Sequence, residues 1–174
     1  MSSKKKIIAL VGLMGAGKTT IGSKIAEKLD YYFTDLDQEI EDRIRKSISE
    51  IFAEDGEEYF RQIEKEIVKE IIARDETLVL SLGGGAFINE EIRNLLKKKA
   101  VTIWLDVSID EIINRIGSKN NRPLLKSPNK REVLTKLHQE RLPIYQKADH
   151  HIIVGQDNSD TIADQIIAMI QEND

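Results

Sequence analysis

Cysteine is absent from the 174 residues. That excludes disulfides, thiolate zinc sites and a cysteine nucleophile, and it suits a reducing cytoplasm, where the chain is expected to reside. Long apolar runs are lacking as well. No stretch approaches the roughly 20 residues that cross a bilayer, so no membrane partner is expected. An excess of positive charge is missing too: the net charge of −4 creates no field that would draw the molecule to nucleic acid or anionic lipid. No internal repeat, low-complexity tract or proline-rich linker divides the sequence. A single domain over 1–174, long enough to bury a real core, is expected. Lys4, Lys5 and Lys6 ahead of the apolar run Ile7–Val11 superficially resemble the start of a signal peptide. The run gives way to glycines with no small-x-small cleavage pattern, and the lysines read as a solvated tail.

What is present is a rhythm. Short apolar runs, most of them rich in β-branched residues, occur at 7–11, 31–34, 78–82, 101–105 and 151–154 and predict strands. Helical spacing lies between them. Over 57–72, Phe60, Ile63, Ile67 and Ile71 recur every three or four positions, the pattern of an amphipathic helix laid on a sheet. Ser47 with Glu50, and Ser108 with Glu111, match the capping box that opens a helix. Ile162, Ile166 and Ile170 predict a closing helix. Strands alternating with helices imply an α/β fold, a parallel sheet covered on both faces through right-handed crossovers. Two stretches break the rhythm. Residues 118–129 are polar, carry two prolines and are long for an ordinary connection, so they read as a lid. Gly83, Gly84 and Gly85 follow an apolar strand, where glycine has no packing value.

Gly12-Leu-Met-Gly-Ala-Gly-Lys18-Thr19 matches the phosphate-loop pattern G-x-x-x-x-G-K-[ST] without a mismatch. Its glycines permit a close backbone approach, and the freed amides with the positive end of the following helix grip phosphate oxygens. Lys18 can reach the β- and γ-phosphates, and the Thr19 hydroxyl can hold Mg²⁺. An apolar strand precedes the motif and a helix with Ile21, Ile25 and Leu29 on one face follows it, so nucleotide binding is expected. Asp35 and Asp37, two apart at a strand's end, can both enter the crevice at the carboxyl edge of the sheet. Alternatively they are acids favoured at the N-terminus of a helix over 38–44. Arg61 and Arg141 carry planar forks that suit a carboxylate, although Arg61 has Glu64 three residues on as a ready ion-pair partner. Arg122, in the lid, is either an arginine finger supplied by the same chain or a solvated loop charge. His150 and His151, adjacent on a strand, point to opposite faces, and with His138 they read as structural. Lys97, Lys98 and Lys99 end a helix, where cations suit the dipole.

Together GLMGAGKTT, DLD, IFAEDGEEYFR, LGGG, RPLL and RLPIY occur in the order and approximate spacing of shikimate kinases, and from about residue 7 to 154 the chain resembles that family. The resemblance implies a P-loop kinase fold, with a five-stranded parallel sheet in the order 2-3-1-4-5 and a lid over about 115–129. It implies a Mg²⁺-dependent transfer from ATP to the 3-hydroxyl of shikimate, in aromatic amino acid biosynthesis; a monomer is expected. Gly12, Gly15, Ala16, Gly17, Lys18, Thr19 and Thr20 would wrap the ATP phosphates, with Thr19 on the metal and Asp35 assisting through water. Asp37 would contact the shikimate hydroxyls, Arg61 and Arg141 its carboxylate, and Gly83, Gly84 and Gly85 both substrate and γ-phosphate. Lys18, Asp37 and Arg122 would be the catalytic set, with Arg115 and Asn158 beside adenine. Phe52 and Phe60 would be either pocket walls or core. Residues 155–158 match the family's adenine loop only loosely. The acid that usually ends the strand beside the P-loop strand is replaced by glycines, and in this family the DLD acids serve near the metal. Kinases of gluconate or a nucleoside monophosphate, or a non-catalytic nucleotide switch, are the rival readings.

Overall fold

The computed structural model describes residues 4–116 and 129–173. Arg122 and most of the expected lid lie outside the described residues. In chain order the elements are β1 (Ile7–Val11), α1 (Lys18–Leu29), β2 (Tyr32–Asp35), α2 (Leu36–Ile44), α3 (Ile48–Glu54) and α4 (Gly56–Ala73). Then come β3 (Leu78–Ser81), a 3₁₀ turn (Ala86–Ile88), α5 (Glu90–Lys99), β4 (Ala100–Val107) and α6 (Ile109–Ile116). After the undescribed segment follow α7 (Lys130–Tyr145), β5 (His150–Val154) and α8 (Ser159–Glu172).

The strands form one sheet in the order β2-β3-β1-β4-β5, every pairing parallel, as the resemblance implied. β1 lies in the middle and all five of its residues are buried. A central parallel strand is covered on both faces, which is why it reads as an unbroken apolar run. The edge strands β2 and β5 expose Tyr32 and Ile153 instead. β4 outruns its predicted span, pairing with β5 as far as Val107, and Asp106 within it meets His151 Nε2 at 2.9 Å. His151 also stacks on Trp104, with centroids 4.1 Å apart, in keeping with a structural role. The register brings Leu10 beside Ser81 and Asp35 beside Ser81 from the other side. The phosphate loop, the acid pair and the triple glycine therefore leave the sheet at one edge, where open α/β sheets bind ligands.

Caps set the helix starts. Ser47 and Glu50 form both bonds of the expected box. At α6 only half of it forms: Ser108 accepts from the Glu111 amide at 3.2 Å, while the Glu111 carboxylate turns to Arg115 Nε at 3.1 Å. The buried face of α4 is Phe60, Glu64, Ile67, Val68, Ile71 and Ile72. Glu64 occupies the position that the apolar spacing gives to Ile63, which is only half-buried. Among the described residues no helix is long and apolar enough to cross a membrane.

Candidate active site

The loop after β1 turns through Gly12, Gly15 and Gly17, whose φ values of 151°, 79° and 88° lie where side chains are strained. A Cβ on Gly12 would also stand 2.7 Å from the Leu105 carbonyl. Lys18 opens α1 and is buried, its Nζ donating to the carbonyls of Gly12 at 2.7 Å and Leu13 at 2.9 Å. Thr19 and Thr20 lie exposed on the same first turn. The Thr19 hydroxyl donates to Asp35 Oδ2 at 2.5 Å, and Asp35 Oδ1 accepts the Gln38 amide at 3.1 Å to cap α2. Both expectations for Asp35 thus describe one carboxylate, which ends a helix and faces the phosphate loop. On the loop's other flank, Arg115 Nη1 donates to the Ala16 carbonyl at 3.3 Å.

Beside this loop opens a cavity of about 550 Å³, lined by Asp37, Arg61, Glu64, Arg141 and the three glycines. Each glycine admits one of these side chains. A Cβ on Gly83 would lie 2.5 Å from Asp37 Oδ1, one on Gly84 2.9 Å from Arg141 Nη1, and one on Gly85 2.5 Å from Arg61 Nη2. The glycines let a carboxylate from α2, a guanidinium from α7 and another from α4 rest directly on backbone. Phe52 and Phe60, 4.8 Å apart, make an apolar wall, and Arg61 lies over the Phe60 ring at 5.1 Å. Phe60 is core as well as wall.

Behind the arginines stands Glu64, 1% exposed. Arg61 Nη1 donates to its Oε1 at 3.0 Å. Burial pushes its carboxyl up to about 7, with Arg61 and Arg141 opposing the rise and Asp37 adding to it. Glu64 Oε2 and Arg141 Nη1 are both buried without a hydrogen-bond partner. Tyr145, also buried, donates its hydroxyl to the Gly84 carbonyl at 2.6 Å, and burial holds its pKa above the usual value.

The sequence profile of shikimate kinase matches residues 14–171. This chain belongs to the shikimate kinase family. It is therefore an enzyme, an ATP-dependent phosphotransferase. The shikimate kinase of Novosphingobium aromaticivorans is 41% identical over 168 residues, covering 95% of this chain and 87% of that protein. The kinase from Acinetobacter baumannii, solved in complex with shikimate, superposes with a TM-score of 0.93 at 36% identity, covering 98% of this chain and 95% of that one. The Aquifex aeolicus shikimate kinase gives 0.82 at 35%, covering 96% and 97%.

Within this kinase the structure gathers Asp37, Arg61, Gly83, Gly84, Gly85 and Arg141 round one cavity, with Thr19 and Asp35 on its wall. Asn158 stands apart as the cap of α8, its Oδ1 accepting the Thr161 amide at 2.9 Å. Two residues at or beside this cavity have no role assigned from the sequence. The sequence marks Glu64 only as an ion-pair partner of Arg61, although its four-residue spacing from Phe60 and Val68 places it on a buried face. Tyr145 closes the Arg-x-Pro-x-Tyr motif without an evident task, because its partner is a backbone carbonyl that no sequence pattern displays.

Proposed function

We propose that the protein transfers the γ-phosphoryl group of ATP to the 3-hydroxyl of shikimate, giving shikimate 3-phosphate. One observation carries this reading: two guanidinium groups and one carboxylate rest on consecutive glycines in a cavity adjoining the phosphate loop. A ring acid that also bears hydroxyls needs that set. Arg61 and Arg141 grip its carboxylate through charge-assisted bonds, and Asp37 accepts from the hydroxyl that attacks. The amides of Gly12, Gly15, Ala16, Gly17 and Lys18 take the phosphates, with Thr20 beside them on the first helical turn. Arg115 borders the loop on the nucleotide side, and Asn158 is assigned to the adenine end on family resemblance alone.

Transfer runs in line through a loose transition state, so positioning and charge stabilisation do most of the catalysis. Lys18 leaves its loop carbonyls for the phosphate oxygens. Asp37 orients the hydroxyl and receives its proton as the bond to phosphorus forms. Arg122, proposed from the sequence, adds positive charge from the lid, whose closure excludes water as a competing acceptor. The oxygen donors of Thr19 and Asp35 fit Mg²⁺, a hard ion that is commonly held by one or two protein groups together with substrate phosphates. When bound, that ion would neutralise charge on the phosphates. The test is ADP release from Mg²⁺-ATP with shikimate, gluconate or AMP as acceptor. Rapid turnover with shikimate is expected; turnover with gluconate and none with shikimate would overturn the assignment.

A further inference from the structure

Six charged side chains line the acceptor cavity: Arg61 and Glu64 on α4, Arg141 on α7, Asp37 and Glu41 on α2, and Asp35 at the end of β2. The charges that act on Glu64 are those of Arg61, Arg141 and Asp37, and with both acids ionised these four groups cancel among themselves. Glu57, also on α4, faces Arg61 from outside at 3.6 Å, and the Tyr145 hydroxyl is committed to Gly84. Docking an acid between the guanidinium groups adds one negative charge beside Glu64, which is itself shut off from water. Arg61 is then claimed twice, by the incoming carboxylate and by Glu64 Oε1, which it already holds at 3.0 Å. Glu64 Oε2 has no donor to stabilise a second negative charge nearby.

We propose that Glu64 takes up a proton when the acceptor's carboxylate docks between Arg61 and Arg141, restoring neutrality and freeing Arg61 for the ligand. The proton comes from bulk buffer, and no other bond is made or broken. Glu64 is then a positioning residue, acting on the acceptor through Arg61. Asp37 is the weaker candidate because it is only half-buried, so water screens it. The free carboxyl, raised to about 7, is poised where a nearby anion changes its occupancy most. Proton uptake and binding are reciprocal, so the acceptor's Kd should rise by up to about tenfold per pH unit above the free enzyme's value, and level off below it.

The inference rests on shikimate being the acceptor, and one calorimetric experiment separates the two. Shikimate is titrated into the full enzyme at about pH 8 and about pH 6, in buffers of differing ionisation enthalpy. At the higher pH the heat should grow with buffer enthalpy, reporting on the order of half a proton or more taken up; at the lower pH the dependence should fade. Glu64→Gln should bind with no such dependence. No binding heat at either pH would sink the acceptor, whereas binding without proton uptake by the wild type, or uptake persisting in Glu64→Gln, would sink the proposal alone. If that variant does not fold or bind, wild-type protein carrying ¹³C-carboxyl glutamate decides. One glutamate signal should titrate near 7 and move upward in pH with shikimate; if none does, the idea fails.

Discussion

A methyl group added at Gly83 would stand 2.5 Å from Asp37 Oδ1, so the carboxylate on the first turn of α2 would have to shift. Gly83→Ala should therefore lower turnover by about 100-fold, the scale of an ångström-sized misplacement, with ATP affinity and circular dichroism unchanged. Gly85→Ala presses instead on the tip of a long arginine and should chiefly raise the KM for the acceptor. Asp37→Asn should cut turnover strongly while leaving ATP affinity nearly intact; unaltered turnover would remove Asp37 from the chemistry. Glu64 bears on stability as well. Its carboxyl is raised from 4.5 to about 7 in the folded chain, so the folded state binds more protons between those values. Stability from the neutral acid is present below 4.5 and lost as pH rises through 7. Glu64→Gln should accordingly gain on the wild type by up to about 3 kcal/mol over that window. A melting-temperature gap that stays constant with pH would contradict it.

Among the elements, α3 shows how a cap is read and what it is worth. Ser47→Ala removes the bond that the serine hydroxyl accepts from the Glu50 amide, leaves the backbone N–H of residue 47 to Glu50, and should cost about 1 kcal/mol in denaturant unfolding. That cap was legible because serine and glutamate three apart have a local job. α4 was legible as a helix but not in full as a face. Counting apolar residues selects Ile63, while the helix buries Glu64, which is held locally by Arg61 and further influenced by Asp37 on α2 and Arg141 on α7, groups far along the chain. Asp35 and Asp37 were ambiguous for the same reason. A strand-to-helix junction allows a cap and a ligand, and only the packed fold shows Asp35 serving Gln38 and Thr19 together. The triple glycine announced itself by lacking side chains in a place that needs filling. That each glycine faces a different functional group was not visible before the helices were placed.

At the scale of the molecule, alternating strands and helices predict a parallel sheet, while the strand order could be stated in advance only because the chain resembles a family that has it. The two halves of the site come from different parts of that sheet. On the proposed reading, the nucleotide side uses the loop after β1 with α6 against it, and the acceptor side uses the ends of β2 and β3 with α2, α4 and α7. Arg141→Lys should therefore raise the acceptor KM by about 10- to 100-fold, a loss of about 1.4–2.7 kcal/mol for a fork replaced by a point charge. The KM for ATP should hardly move. Equal effects on both would mean that the halves are mechanically coupled.

Lys18 sends its ammonium into the carbonyls of the very loop that it belongs to. It acts there as a latch, keeping the cradle in shape before any nucleotide arrives. Lys18→Met would lose that latch together with the phosphate contact, and the unliganded protein should melt earlier. Weak ATP binding by such a variant would then report a slack cradle as much as a missing charge.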